Sequence, residues 1–152
     1  MVGDSQPVQE GPRGIRGWLI VPLAGLIVYF LLVGLSSIYV LIVGGPFLIG
    51  QLMDPAYPGK SLAIEALVGA ALSSVLPIIV LVLLVRKSRL FPTAYIGWTV
   101  VTAGFGLVLW AASVAAGIDF RLRMGAIYPV IWTAIWTPYM LNSVRVKNTF
   151  VN

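Results

Sequence analysis

The sequence predicts an all-α membrane protein: a small bundle of four transmembrane helices with both termini in the cytoplasm. Composition is the first reason. Of 152 residues 59% are hydrophobic and 10% charged, whereas a soluble domain carries about a quarter charged residues and about half apolar ones. The second is the shape of the apolar runs, which are long and do not alternate with polar residues as barrel strands do. In lipid every backbone polar group needs an internal partner, so unalternated runs become helices. The third is that basic residues cluster beside these runs, mostly on one side of the membrane.

Residues 1–17 (MVGDSQPVQEGPRGIRG) are polar and rich in Gly and Pro, and read as a flexible cytoplasmic tail. The first span is assigned to 18–43. Its 26 uncharged residues would extend about 39 Å, more than the ~30 Å hydrocarbon core, so it tilts or passes one interface. It is too long for the apolar core of a cleaved signal peptide. From Gly44 to Ser61, three prolines and four glycines predict a helix break, with Pro46 to Met53 as a short apolar segment on the membrane surface.

The second span is assigned to 62–85. Ala66 to Val85 already supplies 20 residues, enough to cross, so Glu65 is placed at the outer interface. Pro77 near mid-span predicts a kink. A basic turn, Arg86 to Pro92, leads to the third span, 93–116, and Gly117 to Arg123 forms a short loop. The fourth span, 124–141, carries Pro129 and Pro138 near its ends, and 142–152 is a basic cytoplasmic tail. With the N-terminus inside, the inner segments hold Arg13, Arg16, Arg86, Lys87, Arg89, Arg145 and Lys147; the outer ones hold Lys60, Arg121 and Arg123. Seven against three sets the orientation. Trp18, Tyr95, Trp98 and Tyr139 fall as anchors near the inner interface, and Tyr39, Trp110 and Tyr128 near the outer. Arg16-Gly17-Trp18 and Ile96-Gly97-Trp98 open parallel spans alike, but the other two spans do not keep the offset, and chance accounts for the echo.

Cysteine and histidine are both absent. This removes thiolate metal sites, disulfides, Cys nucleophiles and Ser–His pairs. Gly34-Leu35-Ser36-Ser37 lacks the second glycine of a nucleophile elbow. No enzymatic activity, metal or cofactor is therefore expected. The formal charge of +5 sits beside apolar spans and reads as topology rather than nucleic-acid binding.

Five groups remain as candidate sites. At mid-depth, Ser73, Ser74, Thr102, Gly106 and Thr133 form a small and weakly polar layer that serves helix packing or a substrate pathway. Tyr128, Trp132, Trp136 and Tyr139 recur every three or four residues on one face of the fourth helix, packing on a neighbour or lining an apolar pocket. Glu65 is the one carboxylate inside an apolar window, solvated at the interface or coupled to protons. Asp54, Glu65 and Asp119 with Lys60, Arg121 and Arg123 make an outer ligand mouth or ordinary surface ion pairs. Arg86, Lys87, Arg89, Arg145 and Lys147 set topology and can also hold anionic phospholipid head groups.

Trp136-Thr137-Pro138-Tyr139 followed by Ser143-Val144-Arg145-Val146-Lys147-Asn148-Thr149-Phe150 resembles the closing signature, W-x-x-Y-x-x-x-S-x-R-V-K-x-T-F, of the family catalogued as domain of unknown function 2569. Gly17-Trp18 and Phe91-Pro92 extend the resemblance over almost the whole chain. It implies a four-span protein of the bacterial inner membrane and supplies no activity. It also singles out Arg145, Lys147 and Phe150 as a docking element, with Phe150 inserted at the membrane interface; the alternative is a tail that only sets topology. The leading expectation is a non-enzymatic accessory or scaffold protein acting on another membrane protein or on itself. The second is a small transporter or lipid-handling protein using the polar layer or the aromatic face.

Overall fold

The structure, a computed structural model, describes residues 15, 17–57, 59–115 and 124–150. The predicted tail, apart from Ile15 and Gly17, lies outside them, as do Asp119, Arg121 and Arg123 of the loop. The described elements are all helical: α1 (Gly17–Met53), α2 (Lys60–Val85), α3 (Phe91–Ala115), α4 (Met124–Asn142) and the short α5 (Val144–Thr149). The first three are long and apolar enough to cross a membrane.

α1 corrects one expectation: helix continues past Val43 to Met53, and the break in the Gly/Pro stretch comes only between there and Lys60. Two wide turns of π-helix, Phe30–Gly34 and Val40–Gly44, lie within it. After the second, α-helix resumes over Gly45–Met53 with Pro46 in its first turn. There the missing N–H of proline removes no intrahelical bond. In the first wide turn Leu35 N–H reaches back five residues to the Phe30 carbonyl. Ser36 supplies a donor there, its hydroxyl 2.9 Å from both the Leu32 and Val33 oxygens. In lipid a carbonyl loosened by such a turn finds no water, so a back-bonding serine is the available partner. The 37 residues of α1 extend about 55 Å, which no ordinary tilt fits into a ~30 Å core. Part of α1 therefore extends beyond the hydrocarbon core. Asp54 then closes the turn, its carboxylate accepting from Ala56 N–H at 2.9 Å.

α2 ends in a Schellman motif: Ser88 N–H bonds the Leu83 carbonyl and Lys87 N–H the Leu84 carbonyl, each at 3.0 Å. Lys87 takes the left-handed position usual for glycine, with φ +49°. Pro92 then sits in the first turn of α3, where proline is tolerated.

α1 lies along α2, α2 along α3, and α3 pairs most extensively with α4. The core gathers at the end that holds the α2–α3 turn. Leu19, Leu23 and Leu26 of α1 meet Val80 of α2, Phe91, Tyr95 and Trp98 of α3, and Trp136 and Met140 of α4. Tyr95 and Trp98, expected as interfacial anchors, are buried in this cluster instead. Trp18 is 74% exposed where Trp98 is 5%, so the Gly-Trp echo does not mark equivalent positions.

The basic tail also closes onto this core. Ser143 caps α5 by accepting from Val146 N–H at 3.4 Å. Val146 is buried, and Phe150 stacks on Phe91 with ring centroids 4.3 Å apart and planes at 25°. Membrane insertion of Phe150 is thereby corrected: its ring is 4% exposed, because one helical turn after a capping serine carries it back over the start of α3.

Candidate functional site

Near the core, α1 touches both α3 and α4. Trp132 Nε1 of α4 donates to the Tyr95 hydroxyl of α3 at 3.0 Å, and that hydroxyl approaches the Pro22 carbonyl of α1 at 3.5 Å. One phenol thus joins three helices. One turn along α1, the six-membered ring of Trp132 lies directly on Gly25. Above this crossing the α1 and α4 backbones do not run together, and a groove of about 380 Å³ opens between them with α3 as its back wall.

Each wall has a different character. α1 contributes Gly25, Tyr29 and aliphatic side chains such as Leu32. Tyr29 is held by an edge-on contact with Trp98, centroids 5.2 Å apart, and by donating to Ser73 Oγ of α2 at 3.2 Å. α4 contributes Tyr128, Pro129, Trp132 and Thr133. α3 contributes Trp98, Thr99 and Thr102, three positions on one helical face. The Thr133 hydroxyl bridges two helices, 2.7 Å from the Pro129 carbonyl and 3.0 Å from the Thr99 carbonyl. No charged side chain is among the described residues that line the groove.

The mid-depth layer read from the sequence is thus divided. Thr102 and Thr133 line the groove. Ser73 holds Tyr29 from behind. Ser74 is buried and its hydroxyl bonds the Ala70 carbonyl of its own helix at 2.8 Å, so it serves helix contact. Gly106 is half-buried and lies off the groove.

The aromatic face is continuous, with centroid spacings of 5.8, 5.6 and 5.6 Å from Tyr128 through Trp132 and Trp136 to Tyr139. It changes role along its length, however. Tyr128 and Trp132 face the groove, whereas Trp136 is in the core and Tyr139 packs against it. Gly25, Tyr29 and Thr99 were not singled out from sequence, and Tyr95 and Trp98 were read only as interfacial anchors. The α3 set was detectable as polar and aromatic residues recurring at Tyr95, Trp98, Thr99 and Thr102, a helical spacing.

Glu65 is half-exposed near the start of α2 and does not line the groove. Arg86, Lys87 and Arg89 are exposed at the α2–α3 turn, and Lys147 is exposed on α5. Arg145 is half-buried, its guanidinium lying over Gly17, where a β-carbon would come within 3.2 Å of Nη1. A second groove, of about 330 Å³, runs between Phe30 of α1 and Ile78, Leu81, Val82 and Val85 of α2, with Arg86 at its end.

The model of a family described as "Protein of unknown function (DUF2569)" matches residues 12–151. The chain is 29% identical over 147 residues to inner membrane protein YdgK of Escherichia coli (strain K12), covering 93% of this chain and 96% of the relative. No solved structure matches.

Proposed function

The chain belongs to the DUF2569 family and is a multi-pass helical protein of the bacterial inner membrane, and from that premise we propose that it binds a lipid or lipid-like molecule taken laterally from the bilayer. The observation that carries this is the groove between α1 and α4, whose walls bring together Tyr128, Trp132, Thr102 and Thr133. Its volume of about 380 Å³ falls in the ~300–1,000 Å³ range of small-molecule sites. An apolar lining with a few convergent hydroxyls is the usual chemistry of such sites.

In this reading α4 is a fourth crossing. Its 19 residues extend about 28 Å, close to the hydrocarbon thickness, and it lies along α3. Seven inner against three outer basic residues orient the bundle with both termini inside. The groove then opens to the bilayer between α1 and α4. Ligand handling takes precedence over a purely scaffolding role because a scaffold needs no cavity among its helices. In this reading the groove binds its ligand through the hydroxyls and rings of its described lining residues.

A second surface favours anionic phospholipids. Arg86 terminates the Phe30–Val85 groove, and Arg86, Lys87 and Arg89 are exposed beside it. An acyl chain lies along the groove with its phosphate on Arg86, each nearby cation contributing about 1 kcal/mol.

Photolabelling tests the main reading. A long-chain alcohol with a diazirine in its alkyl chain should label peptides containing Val28–Val33 and Trp98–Thr102 well above the outward faces of α2. Thr102→Trp, which fills the groove, should remove that excess. Even labelling of all lipid-facing surfaces, unchanged by Thr102→Trp, would overturn it.

A further inference from the structure

We infer that the α1–α4 groove selects an uncharged, single-chain amphiphile whose polar group is a hydrogen-bond donor: an alcohol-headed lipid rather than an ether, ester, acid or amine. The inference rests on the groove-binding reading and adds the ligand's chemistry to it.

Charge is excluded first. The described lining residues carry no ionic side chain, and a bare charge taken into an apolar site without a partner is strongly disfavoured. Size comes next. A volume of about 380 Å³ lies near the lower end of the range for ligand pockets, which accommodates one chain with a small head.

The direction of hydrogen bonding then follows from where each wall proton already goes. A threonine hydroxyl has one proton and two lone pairs. The Thr99 proton is directed to the Ile96 carbonyl at 3.0 Å, and that of Thr102 to the Trp98 carbonyl at 2.8 Å. Thr133 has the Pro129 carbonyl at 2.7 Å and the Thr99 carbonyl at 3.0 Å for its single proton. Trp132 N–H is committed to Tyr95, and Tyr29 O–H to Ser73. Trp98 Nε1 has no partner, but it is sealed from the cavity surface. Lone pairs are what these walls have left to offer. A ligand hydroxyl can donate to Thr102 or Thr133 while every existing bond stays in place. An ether or ester oxygen requires one of those protons to turn away from its carbonyl, losing one bond for each gained. Tyr128 stands at the exposed rim, and its phenol can donate or accept, so it does not discriminate.

Two probes, one with a hydroxyl donor and one with that hydrogen replaced by methyl, make the test: 11-bromoundecanol and its methyl ether, titrated into the protein in phosphatidylcholine nanodiscs. Bromine quenches nearby indoles, and Trp98 and Trp132 border the groove. Mole fractions in the disc, rather than total concentrations, correct for partitioning. The alcohol should half-saturate quenching at about a fivefold lower mole fraction than the ether, the size expected for one hydrogen bond. Thr102→Val with Thr133→Val should bring the alcohol to the ether's value and leave the ether's unchanged. The wild-type comparison stands even if that double variant folds poorly. Equal binding of alcohol and ether, or binding of 11-bromoundecanoate as tight as the alcohol, overturns the inference and leaves the groove reading intact. Absence of saturable quenching by all three probes overturns the groove reading itself.

Discussion

Trp132 lies so close over Gly25 that a β-carbon at Gly25 would stand 2.5 Å from Cζ2 and 2.7 Å from Cη2 of its indole. This contact fixes how near α1 comes to α4 at the closed end of the groove. Gly25→Ala must push Trp132 off its place, straining its hydrogen bond to Tyr95. Overpacking of this kind costs about 1–3 kcal/mol. Thermal unfolding in mild detergent should show that loss, and introducing Trp132→Phe, which lacks the clashing atoms, should remove most of the alanine penalty. An equal penalty in both backgrounds would show that the clash is not its cause.

The Phe150–Phe91 stack makes the basic tail part of the bundle. Phe150→Ala should destabilise the protein by about 3–5 kcal/mol, the cost of emptying a core phenylalanine site, whereas Lys147→Ala, on the exposed side of α5, should fall within about 0.5 kcal/mol of wild type. A double-mutant cycle with Phe91→Ala checks the pair. A coupling of about 0.5–1.5 kcal/mol is expected for ring against ring, and strict additivity would return Phe150 to the membrane interface.

Lys87 adopts φ +49° at the C-terminal end of α2, where a β-carbon is disfavoured and glycine is the usual residue. Lys87→Gly should therefore raise stability by about 0.5–1 kcal/mol. Arg86 and Arg89 remain beside it, so the proposed orientation, with this turn on the cytoplasmic side, should not change. Chemical unfolding in mixed micelles reads the first effect. A fall in stability would mean that the lysine side chain contributes more than its backbone strain costs.

The chain contains no cysteine, so single cysteines report topology directly. In the four-span arrangement with both ends inside, Lys147→Cys should react with an impermeant maleimide in inverted vesicles and stay silent in spheroplasts. Asp54→Cys, at the opposite end of α1, should do the reverse. Reaction of both from the same side is incompatible with an odd number of crossings between them.

Thr102 and Thr133 were recognisable in advance as hydroxyls at mid-depth, and both line the groove. Ser73 and Ser74 met the same criterion and do not. Nothing along the sequence separates the two pairs, because the rotation of each helix about its axis is set by its neighbours. Gly25 read as one small residue among many, and only Trp132, brought to it from the far end of the chain, gives it a role. Phe150 stood among Arg145, Lys147 and Asn148 and so read as interfacial. The fold of α5 turned it inward because Val146 and Phe150 lie one turn apart and share a buried face. The continuation of α1 past Gly44 was hidden for a related reason: Pro46 breaks a helix only where its missing N–H would have been used.

The amino-acid sequence by itself determined the solvent, the helical class, the three spans that are long and apolar enough to cross, and the family to which the chain belongs. These depend on local sums of transfer free energy and on residue identity, which need no partner segment. Tertiary structure alone decided which hydroxyls face a cavity, where their protons go, and that the basic tail closes the core. Those properties arise from side chains of α1, α3 and α4 meeting across the bundle. In lipid, where apolar faces are nearly equivalent in energy, close contacts such as Trp132 on Gly25 decide which faces meet.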